Sequence, residues 1–511
     1  MIAALTTASA AIAAQTGQTP LTVSVPPVEY STILPELVLI GGALVLLVSS
    51  SLIGRRPPRG FYGLFTLVVS ALSLVATASL WADIVHLGPS TAISGAIAVD
   101  GFNVFFKVLV ASSLALGCLV AEPYLRREGL EGPEFFVLAM LSASGAMVMA
   151  AANDLIVLFL GLEILSIALY VLAGFHARRV ESREAAMKYF VLGAFSSAIF
   201  LYGIALVYGA TGSTSLPAIA AFLSRNLPAE TGVLYAGMAL LLVGFGFKVA
   251  AVPFHTWTPD VYQGSPTPVT GFMAAVAKAG GFAGLIRVFM SSFPTLRLEW
   301  KPILLVLAIA TLAVGSVLAV VQRDIKRMLA YSSVSHAGYV LIGLQAASSK
   351  GVAGSLFYLL AYSFMVIGSF GVVTLVGRPG DADHDLDAYR GLASRRPGLA
   401  LAFAVFLMAQ AGVPFTAGFL AKFYVLSAAV ESHAYALAVV GMLMAAVAAF
   451  FYLRVIILMY SPPADDAPEQ PRLVIPVSLG AALGVCLVFT VVVGILPSPV
   501  IEFAKRATLL L

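Results

Sequence analysis

The sequence predicts an all-α polytopic membrane protein with about 14 transmembrane helices, each of the length that crosses a bilayer. Of the 511 residues, 60% are hydrophobic and 11% are charged, whereas about a quarter of the residues are charged in a typical soluble protein. Continuous apolar runs recur from Leu34 to Leu496, and runs of about 20 residues cross the hydrocarbon core as helices. The strands of a transmembrane barrel would instead alternate over about ten residues.

In chain order, the apolar runs predict helices over residues 32–53, 60–82, 102–121, 134–151, 155–175, 187–211, 233–263, 267–291, 301–321, 327–346, 352–377, 396–432, 436–461 and 473–497. The seventh and the twelfth are too long for one straight crossing, and they contain Pro253 and Pro414. Proline removes a helix hydrogen bond, so both helices are expected to be broken. Lipid tolerates a break only where the freed backbone groups face protein or water.

Two short motifs recur five helices apart. The AVPF stretch that ends at Phe254 returns as GVPF ending at Phe415, and YVLAG from Tyr170 returns as YVLIG from Tyr339. An odd step would invert the second copy, as in secondary transporters. The predicted division is an N-terminal extracytoplasmic extension (1–31), helices 1–3 (32–133), a first inverted repeat of helices 4–8 (134–291), a second of helices 9–13 (292–461), and helix 14 with the C-terminus (462–511).

The distribution of basic residues predicts the orientation. Sixteen Lys and Arg fall on one set of alternate connections and six on the other. Because cytoplasmic loops carry the excess of Lys and Arg, both termini are expected outside the cytoplasm, in a multi-pass protein of the bacterial plasma membrane. The two cysteines, Cys118 and Cys486, lie in separate apolar runs, and no CxxC or glycine-rich phosphate-binding motif occurs. No metal or cofactor is therefore expected on this chain, and no nucleic-acid partner.

Four lysines inside the predicted spans are candidates for function: Lys188, near the start of helix 6, and Lys248, Lys278 and Lys422, near mid-span. A charge at the bilayer centre costs about 2.5–3.5 kcal/mol on insertion scales, so such residues indicate a function or a pairing partner. Among 25 Asp and Glu, only Glu163 lies in the middle of a span. A Glu–Lys pair that forms and breaks would switch its affinity for a proton, as a pump requires.

Other polar residues in the spans have simpler interpretations. Lys107 and Arg287 lie near the outer ends of helices 3 and 8, and Arg454 near the inner end of helix 13. All three are expected to extend their charges to the membrane surface. His255, just after the break in helix 7, and His336, in helix 10, are possible members of a proton relay.

The motifs that carry these residues resemble a known family. KVAAVPFHTWTPDVYQGSPTPVT (248–270), LFLGLEILS around Glu163, EAAMKYFVLG, AAVAKAGG and GVPFTAGFLAKFYVL are similar to the antiporter-like subunits of bacterial respiratory complex I, which are related to Mrp-type antiporters. WTPDVYQGSPTPVT and DLDAYRGL look most like subunit N. The resemblance covers helices 2 to 14.

The resemblance implies a proton-translocating subunit of NADH:quinone oxidoreductase. It implies that Glu163 and Lys248 form the ion pair of a first half-channel, with Lys188 as its helix-6 companion. Lys278 would be the central connecting lysine and Lys422 the exit-side lysine of the second half-channel. FMN, iron–sulfur clusters, NADH and quinone would bind to partner subunits. The expected partners are a neighbouring antiporter-like subunit, small membrane subunits, lipids and, indirectly, a peripheral redox arm.

Two alternatives stay open. A cation/proton antiporter subunit of Mrp type would have no redox partner, and sodium-dependent proton exchange without NADH would favour it. The other alternative is a structural membrane subunit with an idle channel. Neutralisation of the four lysines would then leave transport unchanged, whereas removal of the chain would prevent assembly.

Overall fold

The computed structural model describes residues 28–52, 58–226, 231–382, 384–462, 474–507 and 509. Its long helices confirm the all-α membrane class. The first six are α1 (Leu34–Leu52), α2 (Phe61–Leu87), α3 (Gly101–Arg127), α4 (Glu134–Ala151), α5 (Leu155–Ala173) and α6 (Val180–Thr211). Arg55, Arg56, Arg472 and most of the predicted N-terminal extension lie outside the described residues.

The remaining long helices include two that are split. They are α7a (Thr231–Val249), α7b (Trp257–Gly264), α8 (Thr267–Ser291), α9 (Arg297–Val320), α10 (Ile325–Gln345), α11 (Ser349–Val376), α12a (Pro397–Ala411), α12b (Ala417–Glu431), α13 (Tyr435–Tyr460) and α14 (Val477–Ile495). Short helices span Leu216–Arg225, Leu392–Arg395 and Ser498–Arg506, and 3-10 turns span Tyr30–Ile33, Pro294–Leu296 and Leu386–Tyr389. A small antiparallel hairpin pairs β1 (Ser90–Ala92) with β2 (Ile97–Val99).

Both predicted helix breaks are confirmed, because Pro253 and Pro414 lie in the gaps of α7 and α12. Left-handed backbone at Ala250 (φ 60°) and Phe415 (φ 65°) accompanies the two gaps, and such a conformation cannot continue a right-handed helix. The freed Val252 N–H donates to the Thr311 hydroxyl of α9 at 3.0 Å. Protein groups therefore satisfy backbone that lipid could not.

Twelve helices of the described residues are long and apolar enough to cross a membrane. The other two predicted crossings correspond to α10, whose buried residues include many polar ones, and to α12, whose halves have 15 residues each. The chain is thus a multi-pass membrane protein. The number of 14 crossings, the inverted repeats and the domain boundaries stay predictions.

The centre of the bundle is formed by α8, α10 and α11. All 25 residues of α8 are buried, whereas α1, α13 and α14 expose large apolar side chains on their outer faces. Helices α4 and α5 approach each other closely at Gly145. A Cβ at this position would lie 2.4 Å from the Leu165 nitrogen, so only glycine fits. Small residues allow such contacts in membrane bundles. A charged residue on α8 is therefore held away from lipid on every side.

Candidate functional site

Lys248 occupies the next-to-last position of α7a, directly before the helix break. Its side chain is buried, and Nζ donates to the Ser166 hydroxyl at 2.5 Å and to the Tyr170 hydroxyl at 3.5 Å, both on α5. Nζ also lies 5.4 Å from the Tyr170 ring centroid and 5.8 Å from that of Tyr189. Neutral hydroxyls and aromatic rings therefore surround this ammonium group.

Glu163 lies one helical turn before Ser166 but makes no ion pair with Lys248. Its Oε1 atom is buried without a hydrogen-bond partner among the described residues. The two side chains form no salt bridge in this structure, and an ion pair that forms and breaks stays a prediction. The reason is geometric, because Ser166 takes the contact with Nζ. The pair is in an open arrangement here.

Lys188 lies apart from Lys248, at the end of the bundle that carries the arginine clusters. We call this the basic end, after Arg178, Arg179, Arg323 and Arg327. Nζ of Lys188 contacts Glu184 and Asp260, each at 2.8 Å, and its side chain is 41% exposed. It lines a cavity of about 940 Å³, which we call the vestibule.

Four aromatic rings pack together next to Lys248. This aromatic layer consists of Tyr170, Tyr189, Phe247 and Trp257. Tyr189 stacks on Trp257 with ring centroids 4.6 Å apart, and the Trp257 indole N–H donates to the Phe247 carbonyl at 3.1 Å. Among the hydrogen bonds of the described residues, none links Lys188 directly to Lys248. The resemblance makes Lys188 a companion of Lys248, whereas the structure places Lys188 in the vestibule and Lys248 against the aromatic layer.

Lys278 lies at the centre of the molecule, on α8. Its buried Nζ donates a short hydrogen bond to the Ser333 carbonyl of α10 and lies 5.5 Å from the Tyr362 ring centroid. The Ser333 hydroxyl in turn lies 3.5 Å from the Tyr262 hydroxyl of α7b. Lys278 thus joins α8 to the polar face of α10.

His336 continues the polar line on α10. Its Nδ1 is 2.6 Å from the Tyr358 hydroxyl, and its Nε2 is 3.1 Å from the Tyr452 hydroxyl. Tyr452 also reaches Gln410 at 3.5 Å. His255 differs, because it is only half-buried and its Nδ1 has no hydrogen-bond partner. Of the two predicted relay histidines, the structure places only His336 in a hydrogen-bonded network.

Lys422 lies on α12b and spans the second helix break. Its buried Nζ donates to the carbonyl of Ala411, the last residue of α12a, at 2.8 Å, and helix C-termini attract cations. It also lies 4.8 Å from the Tyr339 ring centroid. Tyr339 stacks on Tyr358, the partner of His336, with centroids 5.9 Å apart. One aromatic pair therefore connects the surroundings of His336 and Lys422.

A family model shows which proteins the chain is similar to. The family model "NADH:quinone oxidoreductase/Mrp antiporter, TM" matches residues 152–448. The chain belongs to this family.

Relatives and solved structures of the NADH:quinone oxidoreductase/Mrp antiporter family extend the match over nearly the whole chain. A protein of Trichlorobacter lovleyi named NADH-quinone oxidoreductase subunit N is 41% identical, over 95% of this chain and 98% of that protein. A chain of respiratory complex I from Thermus thermophilus with bound aureothin has 33% identity and a TM-score of 0.77, over 93% and 100% of the two chains. A chain of the Mrp complex from Dietzia sp. has a TM-score of 0.77 over 93% and 97%, but 20% identity, which shows the fold alone. The predicted resemblance is confirmed.

The site of this family member also contains neutral residues that sequence reasoning missed: Ser166, Tyr170, Ser333, Tyr358, Gln410 and Tyr452. A single serine or tyrosine in a span is unremarkable, so composition gives no signal for most of them. The exception is α10, where Ser332, Ser333, His336 and Tyr339 recur at helical spacing. Such a polar stripe on an apolar helix indicates a polar interior face.

Of the three charges predicted to extend to the membrane surface, Lys107 and Arg287 do not reach it, and for these two the prediction is wrong. Lys107 is fully buried and pairs with Glu36 at 3.0 Å. Arg287 is fully buried and binds both carboxylate oxygens of Asp100, at 2.8 and 2.9 Å. Their partners lie near helix starts, and only packing brings them together. Arg454 donates to the Val320 and Gln322 carbonyls at the end of α9.

Proposed function

We propose that the chain is a proton-translocating, non-redox membrane subunit of an NADH:quinone oxidoreductase. The observation that carries the proposal is the presence of three buried interior lysines, Lys248, Lys278 and Lys422. Contacts of Tyr362, His336, Tyr358 and Tyr339 connect the last two. Buried ionisable residues in a membrane bundle mark ion pathways by default. The extended similarity to a protein named NADH-quinone oxidoreductase subunit N supports the same reaction.

In the proposed mechanism, each lysine amine holds a proton in turn. Charge rearrangement in neighbouring subunits changes the distance between Glu163 and Lys248, and a closer carboxylate favours the charged ammonium. Opening the pair, as found here, releases the proton towards Lys278. From Lys278 the proton moves along α10 past His336 to Lys422, with water bridging the gaps between these groups.

The test is Lys248→Ala in the assembled complex, with protons moved per electron as the measurement. We expect pumping to fall, because the first interior proton carrier is removed. Lys350→Ala is the matched control, since Lys350 is a partly exposed lysine whose ion pair with Glu431 lies at the surface. Near-normal pumping in an assembled Lys248→Ala complex would contradict the proposal.

We also propose where the other components lie. FMN, iron–sulfur clusters, NADH and quinone bind to partner subunits, and this chain itself holds none of them. Its partners are a neighbouring antiporter-like subunit, small membrane subunits and lipids in the bacterial plasma membrane, with both termini extracytoplasmic and the basic end in the cytoplasm. Purification through a tag on this chain tests this, with co-purifying flavin and iron–sulfur subunits as the expected result.

The second candidate is an Mrp-type cation/proton antiporter subunit, and the shared fold of the Dietzia chain is the observation that favours it. Proton exchange in vesicles that requires sodium and proceeds without NADH would move this candidate to first place.

Unchanged transport after neutralisation of Lys188, Lys248, Lys278 and Lys422 would instead indicate a structural subunit.

A further inference from the structure

Asp260, in the vestibule at the basic end, is an acidic residue that the mechanism above does not use. Asp260 lies on α7b, within the WTPDVYQG segment, and its carboxylate bridges two cations. Oδ2 is 2.8 Å from Nζ of Lys188, and Oδ1 is 2.7 Å from Nη1 of Arg327. Lys188 belongs to α6, and Arg327 lies in the first turn of α10. A single carboxylate therefore joins the two predicted repeats.

The two carboxylate partners of Lys188 are not equivalent. Glu184 lies one turn before Lys188 on the same helix and is 59% exposed, and exposed pairs of this kind hold a side chain weakly. Asp260 is held from its other side by Arg327. Nη1 of Arg327 is restrained in turn, because it also donates a hydrogen bond to Oε1 of Gln263 at 3.0 Å. Asp260, 36% exposed, is thus the more restrained of the two carboxylate partners of Lys188.

The position of this cluster gives it access to both water and the interior. The vestibule is lined by acidic and basic side chains, with a volume of about 940 Å³. Trp257 lies one turn before Asp260, and Tyr189 directly follows Lys188, so the cluster borders the aromatic layer. Lys248 also borders that layer and lies over the Tyr189 ring.

We propose that Asp260 is a positioning residue for proton uptake, which holds the Lys188 ammonium at the floor of the vestibule, against the aromatic layer that covers Lys248. Through Arg327, the same carboxylate links the position of Lys188 to α10, the helix that carries Ser333 and His336. A shift of α10 therefore changes the restraint on Lys188. This inference rests on the proposed function.

The test is a double-mutant cycle of Asp260 and Lys188 in the assembled complex, with protons moved per electron as the measurement. We expect Asp260→Asn to lose the same share of pumping as Lys188→Met, and the double variant to lose no more than either, because Asp260 acts through Lys188. Asp260→Glu keeps the charge and is expected to recover most of the loss. A purely structural role would give additive losses in the cycle.

Glu181→Gln is the matched control. Glu181 is a carboxylate of the same vestibule, 65% exposed, whose ion pair is with Arg179 at 3.8 Å, and we expect wild-type pumping from this variant. Wild-type pumping in Asp260→Asn, additive losses in the double variant, or an equal loss in Glu181→Gln would each overturn the inference.

If Asp260→Asn does not assemble, Arg327→Gln tests the same geometry, since it frees the other oxygen of Asp260. We expect a smaller loss in the same direction, and unchanged pumping would count against the inference. The Lys248→Ala test separates the two proposals. A loss in Lys248→Ala with none in the Asp260 and Arg327 variants refutes only the inference, whereas normal pumping in Lys248→Ala refutes the proposed function.

Discussion

At the scale of single residues, the charges inside this protein divide into two kinds. Lys248, Lys278 and Lys422 are buried against hydroxyls, carbonyls and rings, with no carboxylate in contact. Lys107 and Arg287 are equally buried but paired with carboxylates at 3.0 Å or less. A buried ammonium without a carboxylate partner releases its proton more readily than a paired one, because burial disfavours the charged form. The first kind is therefore suited to transport and the second to structure.

This distinction predicts the effect of breaking a paired charge. Arg287→Met leaves the Asp100 carboxylate buried without its bidentate partner, and removal of one member of a buried pair costs about 3–5 kcal/mol. We expect a lower thermal midpoint of the purified complex, with normal pumping in the fraction that assembles. The double variant Asp100→Asn/Arg287→Met should recover part of the stability. A double variant less stable than Arg287→Met would contradict this.

At the scale of elements, the two broken helices place backbone and lysine side by side. Lys248 precedes the gap in α7, and Lys422 follows the gap in α12 and contacts the end of α12a. In α7 the gap also allows Trp257 of α7b to fold back onto Phe247 of α7a. The break thus forms the aromatic layer as well as exposing polar backbone.

The aromatic layer predicts a difference between two buried tryptophans. Trp257 and Trp300 each donate an indole N–H to a phenylalanine carbonyl, at 3.1 and 2.9 Å. Replacement of either tryptophan by leucine leaves space in the core and lowers the stability of the fold. The loss is expected to be smaller than that of a Trp→Ala change, which is about 3–5 kcal/mol. Only Trp257→Leu is expected to open the aromatic layer next to Lys248.

The measurement is the labelling rate of a Lys248→Cys variant by a water-soluble methanethiosulfonate applied at the basic end. The native Cys118 and Cys486 are buried and give little background. We expect faster labelling in the Trp257→Leu background and an unchanged rate in the Trp300→Leu background. Equal rates in the two backgrounds would show that the layer does not control access.

At the scale of the whole molecule, Asp381 connects distant parts of the basic end. It lies between α11 and α12a and pairs with Arg179 at 3.1 Å and Lys326 at 3.3 Å. It also accepts hydrogen bonds from the Thr267 backbone and hydroxyl, at 3.2 and 2.7 Å. Burial alone would raise the pKa of the Asp381 carboxyl, but Lys326, His384 and Thr267 outweigh it and hold the pKa well below its ordinary value.

The lowered pKa determines the pH range in which Asp381 stabilises the fold. Its contribution is fully present above the unfolded pKa of about 3.9 and is lost as the pH falls through the lower folded pKa. Asp381→Asn should therefore destabilise the protein by about 3–5 kcal/mol at neutral pH, as loss of a buried partner does. Thermal midpoints measured from pH 3 to pH 8 test this, with the wild-type advantage constant above pH 5. An advantage that grows towards acid pH would contradict it.

The sequence by itself determined the membrane class, the positions of the long helices and both helix breaks. Helix spans and breaks depend on the length of an apolar run, its hydropathy and its prolines. These are local properties of the sequence, so they predict helices without knowledge of the fold. It also selected the three interior lysines, because a charge inside an apolar run is conspicuous in one dimension. Glu36 and Asp100 were not recognised as partners of Lys107 and Arg287, since each pair joins helices that are distant in sequence.

Only the tertiary structure decided which of these groups touch. It placed Ser166 instead of Glu163 against Lys248, placed Lys188 in the vestibule, and joined Lys188 to Arg327 through Asp260. Each outcome depends on distances of a few ångströms between side chains on different helices. Hydropathy and spacing give the depth of a residue along its own helix, but the rotation and packing of neighbouring helices determine its contacts.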